Sequence, residues 1–205
     1  MIENLDNWKP LSIEETKELL SKLTVPWWIA GGWAIDLFVG KQTRPHQDTD
    51  VAILRKDQFE IQKALSGWDL FKTQQPGLKS WLPNEFLEPG VNDIWCRKTP
   101  DSPWSFQFML LESDGDNWVF RRNPGIRRPV EYIGKLSPDG IPYLAPEIQL
   151  LFKARPGHIE KDNADFDAAA PLMDKLPLTW LLSCLETVFP DGHAWIKRLR
   201  EINSP

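Results

Sequence analysis

The sequence predicts an α/β (α+β) protein in two parts: an α/β portion over residues 1–143 and a helical C-terminal subdomain over residues 144–205. Three observations carry this. Short apolar runs bounded by Gly and Pro fill the middle of the chain, as expected of strands joined by turns. A strand-type run, a Gly pair and a helix-type run follow one another near the start. From Pro146 onward the apolar spacing becomes helical.

The elements follow in order. Ser12 and Glu15 form a capping box ahead of an amphipathic helix over Thr16–Leu23. Pro26–Ala30 (PWWIA) is an apolar run of buried-strand type. Gly31-Gly32 punctuates, and Trp33–Val39 reads as a helix ended by Gly40. A polar loop, Lys41–Gln47, leads into a strand over Asp48–Leu54 (DTDVAIL). Lys56–Leu65 reads as helix and Trp68–Thr73 as strand. Asn92–Arg97 and Trp104–Leu111 read as central strands, with Trp118–Arg122 and Pro129–Ile133 as shorter members of a meander. Pro146–Ala154, Asn163–Leu176 and Leu178–Val188 are the predicted helices of the last third, with Pro146 suited to a first helical turn.

Composition narrows the classes. A net charge of −5 argues against a general nucleic-acid binder, which needs a basic stripe to displace counterions. Two local basic pairs, Arg121-Arg122 and Arg127-Arg128, suit the phosphates of a small ligand or, equally, solvated strand and turn positions. No apolar run is long enough to span a bilayer, and the start MIENLDNWKP lacks the features of a signal peptide. Cys96 and Cys184 are far apart with no metal-binding spacing, so reduced thiols and a cytoplasmic setting are expected. Of the eleven tryptophans, Trp27, Trp28, Trp33, Trp95 and Trp104 sit in apolar segments, where core packing competes with stacking on a base or sugar.

The chemistry centres on Asp48 and Asp50. On a strand the side-chain period is two, so both carboxylates project from one face while Thr49, Val51 and Ile53 take the other. Two acids held side by side repel, and a cation between them removes the conflict. Oxygen ligands of this kind suit Mg²⁺ or Mn²⁺. Gly31 and Gly32, between a strand and a helix, let backbone approach a phosphate at the helix N-terminus. In the loop between these features, Arg44 offers a hydrogen-bond fork to phosphate oxygens, and His46 can orient a carboxylate or contact phosphate. A metal–triphosphate complex placed among these groups has what nucleotidyl transfer needs.

The stretch WWIAGGWAIDLFVGKQTRPHQDTDVAIL resembles the signature of the nucleotidyltransferase superfamily that includes DNA polymerase β, and more narrowly that of the aminoglycoside 2″-adenylyltransferases and lincosamide nucleotidyltransferases. The pattern G-G-W-A-I-D, then T-R-x-H, then D-x-D is met at Gly31–Asp36, at Thr43, Arg44 and His46, and at Asp48 and Asp50. PEIQLLFKA (Pro146–Ala154) and KDNADFDAA (Lys161–Ala169) resemble the helical substrate-side segment of the same relatives. The resemblance implies a polymerase-β-like mixed sheet flanked by helices, with residues 1–143 as the nucleotidyltransferase domain. It implies transfer of a nucleoside monophosphate from a nucleoside triphosphate, ATP foremost, to a hydroxyl of a small acceptor such as an aminoglycoside-like antibiotic. Asp48 and Asp50 would then hold Mg²⁺ or Mn²⁺, and Gly31, Gly32, Arg44, His46 and Lys153 would contact the triphosphate.

The family's third carboxylate is expected on the strand Trp104–Leu111. Phe106, Phe108 and Leu110 share the apolar face there, so Gln107 occupies the acid's place. Gln107 is neutral and cannot accept a proton at working pH. Asp93 and Glu112 are the acids near enough to substitute, through a bulge or a register shift. The alternative reading is a degenerate relative that binds nucleotide, metal or a protein partner without catalysis.

Overall fold

The computed structural model describes residues 5–157 and 159–203. Helix α1 (Ile13–Leu20) begins where its cap dictates: Ser12 Oγ accepts from the Glu15 amide at 3.1 Å, and Glu15 Oε2 accepts from the Ser12 amide at 2.8 Å. A capping box makes Ser12 the N-cap, so the helix starts and stops three residues earlier than the apolar spacing suggests. Strand β1 (Trp27–Ile29), helix α2 (Gly31–Val39) and strand β2 (Asp50–Leu54) follow. Both glycines lie inside the first turn of α2, behind Ala30 as N-cap, and Gly40 ends the helix with φ 82°. Asp48 lies just outside β2, although the Gln107 amide still donates to the Thr49 carbonyl at 2.9 Å.

A 3-10 turn (Arg55–Asp57) leads into α3 (Gln58–Ala64). Strands β3 (Asp69–Thr73), β4 (Leu78–Ser80), β5 (Asp93–Arg97), β6 (Phe106–Asp114), β7 (Asn117–Val119), β8 (Arg127–Pro129), β9 (Gly134–Leu136) and β10 (Pro142–Leu144) come next. The sheet runs β4-β3-β5-β6-β2-β1-β10-β9, and the far end of β6 leaves it to pair with β7, which pairs with β8. It is a mixed sheet: β2 lies parallel to β6 and antiparallel to β1, while β1 lies parallel to β10.

Alternation along the central strands builds a core on each face. Val51, Ile53, Phe106, Phe108 and Leu110 join Ile13, Leu20 and Ile61 on one side. Ala52, Leu54 and Leu111 join the helices of the C-terminal third on the other. On that second side, α4 (Pro146–Lys153) is buried along its whole length. Around it lie α5 (Glu160–Ala169), α6 (Lys175–Val188) and α7 (Ala194–Ile202).

Two predicted elements change form. Within Pro129–Ile133 the strand ends at Pro129 and a 3-10 turn (Val130–Tyr132) follows, because proline has no amide with which to continue a ladder. The helix predicted over Asn163–Leu176 stops at Ala169, passes through a 3-10 turn (Ala170–Leu172) and resumes at Lys175; Pro171 removes a helical donor at the break. The three-residue strands β4, β9 and β10 escape any periodicity argument. Helix α7 was not predicted, although Trp195, Ile196 and Leu199 share one buried stripe.

Candidate active site

Parallel pairing of β2 with β6 sets Asp50 directly beside Gln107 on the helix-bearing face of the sheet. Gln107 Nε2 donates to Asp50 Oδ1 at 2.5 Å. Gly31 crowds the same carboxylate from the other side: a Cβ there would lie 2.0 Å from Asp50 Oδ2, and its φ of +67° independently favours glycine. The Gly31 amide donates to Gln149 Oε1 at 2.9 Å, which ties α2 to the buried helix α4. Burial and the neighbouring Asp48 charge push Asp50 up to about 6, against the opposing pull of Gln107 and Lys153.

Asp48, Asp50, Gly31, Gly32 and Gln107 line a single cavity of about 960 Å³. Its far wall comes from α4 and α5, and the chemistry there is opposite. Arg44 grips Asp165 with two bonds, Nε to Oδ1 at 2.8 Å and Nη2 to Oδ2 at 2.9 Å. Lys153 Nζ lies 2.7 Å from Asp165 Oδ2 and 3.6 Å from Asp162 Oδ1. Arg155 Nη2 closes on Asp162 Oδ2 at 2.6 Å. Asp165 is fully buried; burial opposes its charge, yet Arg44 and Lys153 hold it below the ordinary carboxylate range. The two aspartates sit at i and i+3 on α5, so one helix face serves the whole network.

The loop Thr43–Gln47 is folded around Asp36, a residue of α2 that is 4% exposed. Asp36 Oδ1 accepts from the Thr43 amide at 3.0 Å and from Thr43 Oγ1 at 2.5 Å, while His46 Nε2 lies 2.5 Å from Asp36 Oδ2. The His46 ring packs 4.4 Å from Trp33 and does not line the cavity. Gly32 is squeezed between these groups: a Cβ would lie 2.4 Å from His46 Cε1 and 2.5 Å from Arg44 Nη2. The place a Cβ would take at Gly32 is therefore filled by the His46 and Arg44 side chains, while Gly32 itself lines the cavity.

The acids proposed as replacements for a third carboxylate separate cleanly. Glu112 is engaged by Arg55, with Oε1 2.6 Å from Arg55 Nη2, and stands outside the cavity. Asp93, at the start of β5 and paired in register with Met109, lines it. Burial raises Asp93, with Arg121 and Arg55 opposing. Among the described residues no group of three or more His, Cys, Asp or Glu side chains is placed to share one metal ion. Of the basic pairs, Arg121 and Arg122 line the cavity, whereas Arg127 pairs with Asp114 and Arg128 with Glu147 elsewhere. Asp36, Gln149, Asp162 and Asp165 are the site residues to which sequence reasoning assigned no role. The i, i+3 acids within KDNADFDAA were the available signal.

A sequence model of the aminoglycoside-2″-adenylyltransferase family matches residues 12–77. A lincosamide resistance protein of Staphylococcus haemolyticus is 28% identical over 155 residues, covering 72% of this chain and 86% of that protein. The lincomycin-bound crystal structure of the lincosamide antibiotic adenylyltransferase LnuA superposes with a TM-score of 0.55 at 19% identity, over 82% of this chain and 99% of that one. The crystal structure of ANT(2″)-Ia with adenylyl-2″-tobramycin gives 0.54 at 13% identity, over 84% and 94%. The chain resembles the family model and the lincosamide resistance protein in sequence, and it shares the fold of the two adenylyltransferase structures.

Proposed function

We propose that this chain transfers a nucleoside monophosphate, AMP from ATP in the first instance, to a hydroxyl of a small acceptor, with aminoglycoside- and lincosamide-type antibiotics as the first candidates. One observation supports this above the others. Asp48 and Asp50 stand together in a large cavity with Asp50 raised to about 6, while Arg44, Lys153 and Arg155 are committed to Asp162 and Asp165. The donor set fits a small hard cation: two carboxylates with oxygen ligands and no sulfur or imidazole. Asp48 and Asp50 would hold Mg²⁺ or Mn²⁺, which when bound neutralises charge on the phosphates.

The remaining work falls to this chain's own groups. Arg121 and Lys161 line the cavity and are suited to phosphate oxygens, as are Arg44 and Lys153 from within their network, whereas Arg122 donates to the carbonyls of Leu151, Phe152 and Ala154 at the end of α4. His46 acts as a positioning residue: through Asp36 it fixes the loop that carries Arg44. Asp93 is the carboxylate suited to receive the acceptor's proton, because Gln107 cannot and Glu112 is held by Arg55.

Gln107 beside Asp50 favours a second reading, a protein that binds metal–nucleotide without turnover. Transfer of label from α-labelled ATP to tobramycin or lincomycin, at saturating Mg²⁺ or Mn²⁺, separates the two. An active parent is expected to lose about 10²–10⁴-fold in rate as Asp93→Asn and to gain little from Gln107→Asp. An inactive parent rescued by Gln107→Asp establishes the second reading instead. An active parent indifferent to Asp93→Asn rejects Asp93 as the base.

A further inference from the structure

Helix α7 lies against α5, the helix whose Asp162 and Asp165 anchor the cationic wall of the cavity. Trp195 Nε1 donates to Asn163 Oδ1 at 2.7 Å, and the Trp195 ring stacks on Phe166 at 4.5 Å. One turn further along, Arg198 covers Phe166 at 4.6 Å and pairs with Asp167. Asn163 and Phe166 directly follow Asp162 and Asp165, so α5 is gripped by the wall's cations on one side and by α7 on another.

His193 joins α7 to that wall at its first residue. It is the N-cap of the helix, with Nδ1 accepting from the Trp195 amide at 3.2 Å. Its Nε2 lies 3.3 Å from the Arg155 carbonyl, which can only accept, so that nitrogen carries the proton. Together the two partners require a neutral ring with its hydrogen on Nε2. Phe189, stacked at 4.7 Å, and Trp195, edge-on at 5.2 Å, hold the ring in place. Arg155 carries the link onward, because its guanidinium closes on Asp162 at 2.6 Å.

A second proton has no place here. It would stand on Nδ1, facing the Trp195 amide hydrogen, and would set a cation at the positive end of a helix. The surrounding charges give no relief. Lys153, Arg155 and Asp162 line a small cavity with the ring, and both cations already share that one acid. Phe189, from α6, is uncharged, while Asp191 in the preceding turn and Lys197 in α7 are exposed to solvent. Burial holds His193 below its ordinary value, with the Arg155 carbonyl pulling the other way.

We propose that His193 is a positioning residue for the α5 wall that works only as the neutral imidazole, so that acid frees the first turn of α7 and loosens the wall. The latch acts on the wall whatever the cavity holds, and so goes beyond the transferase reading. With its folded value below the unfolded value of about 6.5, it holds above about pH 6.5 and fails as pH falls through the folded value.

The test is hydrogen exchange by NMR on the full chain from about pH 7.5 to about pH 4.5, corrected for the intrinsic pH dependence, with the His193 Cε1–H shift reporting its proton. As the ring is protonated, protection of the Trp195 and Ile196 amides, the Trp195 indole N–H and the Phe166 amide is expected to fall about fivefold, the loss of one helix cap. His193→Asn supplies an acceptor that does not titrate, so its protection stays level across the range, whereas His193→Ala is low throughout. His193→Asp, ionised over most of that range, serves where the amide fails to cap. A parent-like loss in the capping variant overturns the latch. So does a ring that gains its proton with α7 still protected, or one that stays neutral down to about pH 4.5. Loss at α7 with Phe166 unmoved reduces His193 to a helix cap and overturns its hold on the wall.

Discussion

Asp50 lines the cavity and Asp165 lies buried behind its opposite wall, under Arg44 and Lys153, and the surroundings of these two aspartates drive them in opposite directions. Asp165 meets Arg44 and Lys153 and stays charged more readily than a free carboxyl; Asp50 meets Asp48 and an amide and is pushed up to about 6. The α5 wall answers both of its carboxylates with cations of the chain itself, so it belongs to the fold. The β2 wall leaves its charges unbalanced, which is the state of a site that expects a cation from solution.

The largest expected effect is therefore structural. Asp165→Asn strands two cations in a desolvated place, and breaking such a pair costs about 3–5 kcal/mol. Urea denaturation at neutral pH is the measurement; a loss under about 1 kcal/mol equates the two walls and removes the contrast. The pH dependence carries the sign. With Asp165 depressed in the fold, its contribution is present above the unfolded value near 4 and lost as pH falls through the folded value.

Gly32→Ala is expected next. Its methyl must displace a His46 ring that Asp36 holds, at about 1–3 kcal/mol by analogy with overpacked cores. Melting temperature should fall before nucleotide affinity is affected. A variant that melts like the parent but loses nucleotide restores the view that this glycine makes room for phosphate.

Asp50→Asn should do the reverse. It abolishes Mg²⁺- or Mn²⁺-dependent triphosphate binding, as does Asp48→Asn, yet relieves the resting protein by of order 1 kcal/mol after solvent screening, or about 2–4 °C in melting temperature. Because Asp50 is raised, its cost is absent below about pH 4 and fully present above about pH 6, so the gain should appear at pH 7 and vanish at pH 4. A destabilised Asp50→Asn would show that the acid pair is part of the scaffold. The smallest effect marks the baseline: Lys197→Ala, which removes a solvent-exposed pair 3.9 Å from Glu201, should change stability by less than about 0.5 kcal/mol.

The position of Asp50 was legible because the strand period fixes where its side chain points, and the glycines because they stand where a strand gives way to a helix, whereas Asp48 lies outside β2 and beyond the reach of that period. Val51, Ile53, Phe106, Phe108 and Leu110 fall on the face that alternation assigns them, and Gln107 therefore falls beside Asp50. The Asp165 network was not legible as a network: Arg44 and Asp165 are 121 residues apart, and no local rule pairs them. His46 was read as a phosphate or carboxylate contact, and only the fold shows Asp36 as its partner. Choosing between Asp93 and Glu112 needed Arg55, whose reach across residues 87–92 has no sequence period.

The amide of Gln107 gives the protein a certain indifference to its ionic surroundings. With a neutral donor in contact with Asp50, the resting cavity carries one negative charge fewer than a three-acid site would, and part of Asp50's charge is answered by a hydrogen bond that is always present. The parent is thus expected to melt at nearly the same temperature with or without a chelator. A Gln107→Asp chain, carrying three crowded carboxylates, should unfold several degrees earlier once EDTA removes its counterweight.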